Sequence, residues 1–554
     1  MILSAAEVII RLERETGRTR IETVKAKNGL PVARRDGRFL DSSHDPHAGA
    51  VKRLTGLQTS GRTLALVFGD GFGYLSRHLV SLGMDVLLVE SDSQLVQAGY
   101  EALGAEAWND FSLVLCPPTC EPSFWDALLP DHLQASDILV VPPLFSGDKA
   151  LLAAAESFVI CLRRRMVNLE TTGWFGARWV CNILDTLAHL VSLEAHIWSP
   201  SMLPLGGDWV IAVPGPSLEE SLEFLSTQRK HYTLLALAPA VRTLRAAGIS
   251  PDAVCTSDGG WANRLHLAGL GLDQVPLVLP LYAAAGIARD WPGPLIPLSC
   301  GTGIETSLVT GLPVMGETPT VALLALRIAL AARADRIILA GQDFAARSNK
   351  GHARGYRFDE DGALRALRTR PTEKALDATW QRHDLTRAGW RADTKSLLYR
   401  DGLVEFARQH DFSLLRLGDS PFLAEVPALD AFAGPGQAGQ AGTGDLRLNQ
   451  ETVRAWYQRI SSFLDKDFSG GTVINPTRPL SASPFEAFPE GEIREILEDA
   501  VLYPLFELGQ PKAMRALRLG KPLGQSISGL IPWLVRVRRR LGILLNNPGS
   551  NTDR

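Results

Sequence analysis

The feature that most constrains the fold is an alternation of short apolar segments with helical patterns between residues 209 and 343. The apolar segments read, in chain order, WVIAVP, YTLLALA, DAVCTSD, PLVLPLY, PLIPLS and RIILAGQD. Short strands that alternate with helices favour a parallel sheet, because each helix returns the chain to the edge where the next strand starts. We therefore predict an α/β, Rossmann-like fold for the centre of the chain.

A shorter alternation of the same kind lies nearer the N-terminus. From Thr63, TLALVFGDGFGYLSRHLVSLGMDVLLVE predicts a strand, a glycine turn, a helix and a second strand, and DILVVPP adds a strand near residue 140. The stretch from Phe158 to Leu193 has helical spacing. After residue 446 helical spacing recurs and no convincing strand is found.

These patterns predict three domains and one linker. The segment AGPGQAGQAGTG, at 433–444, has the composition of a flexible linker. The predicted units are an N-terminal α/β domain at 1–200, a central Rossmann-like domain at 201–432, a linker at 433–445 and a helical C-terminal domain at 446–554.

Charge and apolar patterning exclude several classes of protein. Lys and Arg total 57 against 60 Asp and Glu, a net charge of −3, so no nucleic-acid partner is predicted. The longest apolar segment, at 320–340, is interrupted by charged residues, so no membrane span is predicted. Five of the six cysteines lie in or beside apolar runs, and the N-terminus lacks an uninterrupted apolar signal. Both features indicate a cytoplasmic protein.

The first glycine turn has two interpretations. Gly69, Gly71 and Gly73 follow one predicted strand and Glu90 ends the next, as in turns that bind a nucleotide while the acid holds a ribose hydroxyl. The letters GDGFG are closer to the first motif of methyltransferases that use S-adenosylmethionine. A tight strand-to-helix turn without a ligand also favours glycine.

The second turn, in WVIAVPGPSLEESLEFL, runs directly from a strand into a helix. Ser217 and Glu220 have the spacing of a capping box, which explains both residues by helix initiation. Gly215 is not explained in this way, and its missing side chain would leave backbone N–H groups open to an anion such as a phosphate.

Polar residues also follow three other predicted strands. Asp258 ends DAVCTSD, Gly301 and Thr302 follow PLIPLS, and Gln342 and Asp343 end RIILAGQD. Ligands of open parallel sheets bind at the carboxyl ends of the strands. These residues therefore predict a nucleotide-type site.

A basic, glycine-containing loop follows Asp343. It contains His352 between Lys350 and Arg354. Because imidazole exchanges protons near neutral pH, His352 is a candidate general base or acid. A surface histidine without a function is the alternative.

Three segments together resemble the central domain of the Maf (motility-associated factor) proteins, which include an MptE-like domain. They are VPGPSLEE, PDAVCTSD and GETPTVALLALRIALAARADRIILAGQDFA, and the resemblance spans residues 203–429. The N-terminal VFGDGFGYLSRHLV looks like the N-terminal domain of the same family. The resemblance implies a central fold similar to bacterial sialyltransferases. It also implies transfer of a nonulosonic acid (pseudaminic, legionaminic or sialic acid type) from a CMP-activated donor to Ser or Thr of flagellin.

The resemblance also implies roles for individual residues. Gly215, Pro216 and Ser217 would lie near the donor phosphate, and Asp258, Gly301, Thr302, Thr318 and Thr320 would line the nucleotide pocket. Gln342, Asp343 and His352 would face the reacting sugar, with His352 or Asp343 as base and Lys350 and Arg354 near the departing phosphate. The sequence departs from the family at Glu317 and Pro319, where small residues are usual. A divalent metal is left open, and no metal ligands are predicted.

Two rival functions remain. MptE-like hydroxymethylpterin pyrophosphokinases share the Gly-Pro-Ser-Leu turn. If this protein were such a kinase, Asp258 and Asp343 would hold Mg²⁺ for phosphoryl transfer from ATP. The other rival is a non-catalytic flagellin-binding protein. The C-terminal ISGLIPWLVRVRRRLGILL predicts an amphipathic helix that either packs on the protein or contacts a partner.

Overall fold

A computed structural model describes residues 20–465 and 490–546, with gaps at 117–119, 121–123, 126–127, 130–132, 134, 145–147, 194–198, 317, 319, 370, 375–376, 378–380, 382–384, 411, 440–445 and 528. The chain divides into two compact units, Met1–Glu170 (unit 1) and Thr171–Arg554 (unit 2). The boundary lies inside one long helix.

Unit 1 contains an antiparallel sheet, β1-β2-β3, and a parallel sheet with strand order β6-β5-β4-β7. The strands are β1 Ile21–Lys25, β2 Pro31–Arg35, β3 Arg38–Phe39, β4 Leu64–Phe68, β5 Asp85–Glu90, β6 Ser112–Leu115 and β7 Ile138–Val141. The helices are α1 Pro46–Arg53, α2 Tyr74–Ser81, α3 Ser93–Leu103 and α4 Lys149–Leu193, and α4 continues into unit 2.

Unit 2 is built on a seven-stranded parallel sheet with strand order β12-β11-β10-β9-β8-β14-β18. Its strands are β8 Asp208–Ala212, β9 Thr233–Leu237, β10 Ala253–Cys255, β11 Leu277–Pro280, β12 Leu295–Leu298, β14 Arg336–Ala340 and β18 Ser413–Leu417. Short pairs add β13 Val309–Thr310, β15 Ala346–Arg347, β16 Leu385–Arg387, β17 Trp390–Ala392 and β19 Arg447–Leu448. The six strands predicted between 209 and 343 are confirmed, and β18 is an additional strand.

The helices of unit 2 cover the sheet and form the C-terminal region. They are α5 Leu218–Thr227, α6 Val241–Ala246, α7 Ala285–Asp290, α8 Gly303–Leu308, α9 Val321–Ala331, α10 Arg357–Leu364, α11 Thr394–Gln409, α12 Gln450–Leu464, α13 Glu490–Leu497, α14 Tyr503–Gly509, α15 Pro511–Arg518 and α16 Leu530–Leu545. Side chains of β8 alternate between two apolar layers: Val210 packs in one layer and Ile211 in the other. The predicted α/β architecture with a helical C-terminal region is confirmed.

The strand order places a topological switch point at β8. The chain fills one side of β8 from β9 to β12 and then returns to add β14 and β18 on the other side. The loops that leave β8 and β14 therefore diverge from adjacent strand ends. Ligands of open α/β sheets bind in the crevice at such a point.

The C-terminal helix α16 buries its apolar face against unit 2. Trp533 and Leu541 belong to the same apolar cluster as the sheet, and the Trp533 indole N–H donates to the carbonyl of Ala177 at 3.0 Å. Two of its arginines are paired, Arg538 with Asp465 and Arg540 with Asp185. This packing supports the intramolecular interpretation of the helix. No described helix combines the length and apolar character needed to cross a membrane.

The first half of the predicted linker is held in place. The amide of Ala433 donates to the carboxylate of Asp208 at 2.6 Å, and the amide of Asp208 donates to the carbonyl of Gly434 at 2.8 Å. Leu205 and Gln437 form a further antiparallel bridge. Composition predicted flexibility here, but these bonds fix residues 433–437 beside the start of β8. Residues 440–445 of the predicted linker lie outside the described residues, and the predicted domain boundaries stay predictions.

The glycine turn of unit 1 is filled by side chains of the unit itself. A Cβ on Gly71 would lie 2.4 Å from the Asp41 carboxylate, and a Cβ on Gly69 would lie 2.8 Å from the Leu151 side chain. The Arg53 guanidinium donates to the carbonyl of Gly69 at 3.1 Å. Since both glycines have a positive φ and a close internal neighbour, the ligand-free interpretation of this turn explains them.

Glu90 is buried rather than presented to a ribose. It is 2% exposed, and one carboxylate oxygen accepts the amide of Ser91 at 3.0 Å. Burial raises the pKa of Glu90 to about 7, against the weaker opposing effects of the Ser91 amide and the Arg35 guanidinium. Near neutral pH this carboxyl therefore takes up a proton in the folded unit.

The pKa of Glu90 predicts a pH-dependent stability of unit 1. Because the folded pKa lies above the value in an unfolded chain, this carboxyl stabilises the fold below pH about 4.5, and the contribution is lost as pH rises through about 7. Its share is roughly 3 kcal/mol. Hydrogen exchange of β4 and β5 between pH 5 and 8, corrected for intrinsic rates, measures it.

Glu90→Gln should flatten that pH dependence, whereas Asp85→Asn, at the exposed start of the same strand, should preserve it. An equal pH dependence in the wild type and in Glu90→Gln would contradict the assignment.

Candidate functional site

Two glycines allow the loops after β8 and β14 to touch at the switch point. The amide of Gly215 donates to the carbonyl of Gly341 at 2.9 Å. A Cβ on Gly215 would lie 2.2 Å from that carbonyl oxygen, and one on Gly341 would lie 2.1 Å from the carbonyl of Val213. We predicted that Gly215 leaves backbone N–H groups open to an anion. For the amide of Gly215 itself this prediction is wrong, because that amide is already bonded to Gly341. Close backbone packing requires this glycine.

Ser217 and Asp343 join the same two loops through their side chains. The Ser217 amide donates to one carboxylate oxygen of Asp343 at 2.8 Å, and the Ser217 hydroxyl donates to the other at 2.5 Å. Both residues are buried. The predicted capping box is wrong, because the Ser217 hydroxyl bonds to Asp343 and makes no cap bond to α5.

Asp343 holds loops together and does not face the open edge of the sheet. Burial raises the pKa of Asp343 to about 6, and the two bonds from Ser217 oppose that rise. The hydroxyl of Ser420, after β18, donates to the carbonyl of Asp343 at 2.7 Å. The ends of β8, β14 and β18 are thus joined at one residue. Its predicted role as a base is not supported by this geometry.

The cations predicted to bind phosphate contact acids from the first turn of α5. Lys350 lies 3.4 Å from Glu219, whose carboxylate also accepts the backbone amide of Arg354 at 2.8 Å. Arg347, a further cation of this loop that was not predicted to bind phosphate, pairs with Glu220 and lies 2.9 Å from Asp419. The Arg354 side chain is 85% exposed and lies 4.0 Å from Glu219, so it is the most accessible of these three cations.

His352 lies at the open edge with three neighbours that sequence reasoning missed. Its ring stacks on Tyr356 with centroids 3.6 Å apart, and its Nδ1 lies 3.3 Å from a carboxylate oxygen of Asp359. Behind Tyr356 lies the buried ring of His266, at 5.0 Å. Burial, together with the charges of His352 and Arg242, lowers the pKa of His266 to about 4. No helical spacing signalled this cluster, because the helix begins only at Arg357 and residues 351–355 form turns.

The predicted residues after β12 form a helix cap around a buried acid. Thr302 caps α8, and its hydroxyl and the amides of Cys300 and Thr302 donate to Glu305 at 2.9–3.2 Å. Burial raises the pKa of Glu305. Gly301 is exposed at the top of this loop with a φ of 77°.

The two predicted threonines before α9 have different surroundings. Thr320 caps α9 by accepting the amide of Leu323 at 3.2 Å. Thr318 lies beside Tyr282 and Cys300, and burial raises the pKa of Tyr282. The side-chain oxygen of Gln342 is buried and has no hydrogen-bond partner among the described residues. The family departures Glu317 and Pro319 lie outside the described residues.

Helix α4 holds the loops after β10 and β11 together. The side-chain amide of Asn182 donates to the carbonyls of Gly259 and Tyr282, both at 3.0 Å. The Trp179 ring occupies the space over Gly259, where a Cβ would lie 2.5 Å from it. Asp258, directly before, is exposed, and one of its oxygens accepts the amide of Gly260 at 2.7 Å.

The predicted site residues thus lie in the loops that follow β8, β10, β12 and β14 and at the start of α9. Asp258, Gly301 and Arg354 are exposed and His352 is partly exposed, whereas Ser217, Asp343, Thr302 and Thr320 support the loops. Asp343, which the kinase hypothesis makes a Mg²⁺ ligand, is 4% exposed and accepts two bonds from Ser217, so little of its carboxylate is open to a metal. In the described part of the chain, no three His, Cys, Asp or Glu side chains converge as a metal site.

Comparisons with known proteins agree with this architecture. A family model described as "6-hydroxymethylpterin diphosphokinase MptE-like" matches residues 189–349. The fold is similar to a solved structure of a Maf glycosyltransferase from Magnetospirillum magneticum AMB-1. The TM-score is 0.52 and the identity 14%, over 98% of this chain and 93% of that one. A search of curated proteins finds no match. The resemblance seen in the sequence is confirmed at the level of the fold.

The Ser217–Asp343 contact predicts a selective loss of stability. In Asp343→Asn the side-chain oxygen can still accept the Ser217 amide, while the NH₂ group donates to the Ser217 oxygen, so the buried hydroxyl proton loses its acceptor. The free energy of unfolding should fall by roughly 2 kcal/mol. Urea unfolding of the full chain at pH 8 measures the change.

Asp258→Asn removes a carboxylate charge at another strand end, where the residue is exposed. It should change the free energy by less than about 0.5 kcal/mol. Equal losses in the two variants would refute the role given to Asp343.

Proposed function

We propose that this protein is a glycosyltransferase that moves a nonulosonic acid from a CMP-activated donor to Ser or Thr hydroxyls of flagellin. The observation that carries the proposal is the fold similarity to a glycosyltransferase along both units of the chain. The MptE-like match covers only residues 189–349 and leaves the rest of the chain unexplained. The donor, the sugar class and the acceptor come from the sequence resemblance.

The residues at the open edge suit this chemistry. The bond from C2 of the sugar to the CMP phosphate breaks with its electron pair going to the phosphate, while C2 gains oxocarbenium character. Arg354, which is exposed, is suited to stabilise the charge that develops on the phosphate. The acceptor oxygen attacks C2, and its proton passes to the His352 ring.

The surroundings of His352 also favour it over Asp343 as the base. The His352 side chain is 38% exposed, whereas Asp343 is 4% exposed. A base must reach the proton that it removes. We place the reaction in the cytoplasm, because five of the six cysteines are buried, as expected for thiols in a reducing compartment.

The second candidate is an ATP-dependent hydroxymethylpterin pyrophosphokinase. The family model at 189–349 favours it. The geometry of Asp343 weighs against it, since that carboxylate is buried, is bonded to Ser217 and offers little open surface to Mg²⁺.

We expect His352→Ala to abolish transfer without changing the fold. The measurement is intact-mass spectrometry of flagellin from cells that carry the wild-type gene, the variant or a deletion. The wild type should add mass increments of whole nonulosonic acids, and the variant and the deletion should not. His231→Ala is the matched control, because His231 is exposed before β9, at the opposite edge of the sheet.

Wild-type increments in His352→Ala would remove that residue from the mechanism. An unchanged flagellin mass on deletion, combined with ATP-dependent pyrophosphorylation of hydroxymethylpterin by the purified protein, would replace the transferase with the kinase.

A further inference from the structure

The backbone around His352 is anchored by the loop after β8 and by helix α6. The amide of Ala353 donates to the carbonyl of Pro214, after β8, at 2.8 Å. The hydroxyl of Thr243, in α6, donates to the carbonyl of Arg354. The Cα of His352 is therefore held at the edge of the sheet, and the direction of its ring depends on its side-chain neighbours.

Two residues at the start of α10 act on that ring. Tyr356 precedes the helix, and its ring lies parallel to the imidazole, with 10° between the planes. Asp359, three residues later in the first turn, presents a carboxylate to Nδ1 at 3.3 Å. Positions three apart at a helix start lie on one face, so the stack and the hydrogen bond act on the ring together.

Tyr356 also contacts two further rings. Its ring meets Phe358 edge-on with centroids 5.7 Å apart and packs near His266. Burial raises the pKa of Tyr356 to about 12, so its hydroxyl keeps its proton at neutral pH. Tyr356 therefore packs against the His352 ring and does not compete with it as a base.

We infer that Asp359 is a positioning residue for His352, which rests on the function proposed above. A carboxylate at Nδ1 fixes the tautomer with the proton on Nδ1, and Nε2 is then left with its lone pair. Nε2 is the atom that takes the proton of the acceptor hydroxyl as its oxygen bonds to C2. Asp359 itself touches neither substrate.

The surface position of Asp359 distinguishes positioning from structural support. Its side chain is 61% exposed, and exposed ion pairs contribute little to stability. Removing the Asp359 carboxylate should therefore leave the fold intact and change the tautomer of the His352 imidazole.

The experiment compares Asp359→Ala with Glu360→Ala in the full-length protein. Glu360 is the matched control because it is exposed, adjacent on the same helix and carries the same charge. The first readout is the ¹⁵N spectrum of labelled histidine at pH 8, with the His352 signals identified from a His352→Gln sample. We expect Nδ1–H in the wild type and in Glu360→Ala, and a shift toward Nε2–H in Asp359→Ala. Asp359→Asn keeps an oxygen acceptor and should restore the wild-type tautomer.

The second readout is transfer to flagellin. We expect kcat to fall roughly tenfold to a hundredfold in Asp359→Ala, with KM for the donor within about twofold, because no substrate contact is lost. A wild-type tautomer in Asp359→Ala would overturn the inference whatever the activity. Absence of transfer in the wild type, with the tautomer shift present, would instead count against the proposed function alone.

Discussion

The carboxylate of Asp343 receives two hydrogen bonds from Ser217, and the carboxyl edge of the central sheet depends on this contact. It joins the loops that leave β8 and β14, which diverge from neighbouring strand ends. Ser420 adds the loop after β18 to the same residue. Without a side chain at Gly215 or Gly341, the two backbones approach closely enough for the carboxylate to reach Ser217. The glycines and the acid therefore form one structural feature.

Electrostatics at this edge follow from that feature. Once Ser217 starts α5 at the switch point, Glu219 and Glu220 in its first turn face the loop that follows β14. They bind Lys350, the amide of Arg354 and Arg347. The loop thus reaches the edge of the sheet with its charges largely balanced. His352 and the Arg354 side chain are left exposed, and the proposed chemistry is assigned to these two groups.

The two glycine turns of the chain show how a similar sequence signal leads to different environments. In unit 1, Asp41 and Leu151 occupy the space over Gly71 and Gly69, so the turn is complete without a ligand. In unit 2, Gly215 contacts another backbone, and the exposed residues of the predicted site lie further along, in the loops that follow β10, β12 and β14. A glycine after a strand indicates that another group packs closely against its backbone. The surrounding sequence does not show whether that group is a side chain, another backbone segment or a ligand.

The sequence by itself determined the strands from 209 to 343, the helical C-terminal region and the polar residues at the strand ends. Apolar runs of that length must be buried, and the turns between them carry the polar groups. It missed β1 and β2, since IETVK and PVARR mix charged and apolar residues without a clear period, and it predicted a cap for Ser217. Only the tertiary structure decided which partner each polar side chain takes. Ser217 and Asp343 are 126 residues apart, and they meet because the strand order places β14 beside β8. The Ser217 hydroxyl therefore bonds to the buried Asp343 carboxylate and does not cap α5. Without this bond the carboxylate would lack a hydrogen bond that water cannot replace in the interior.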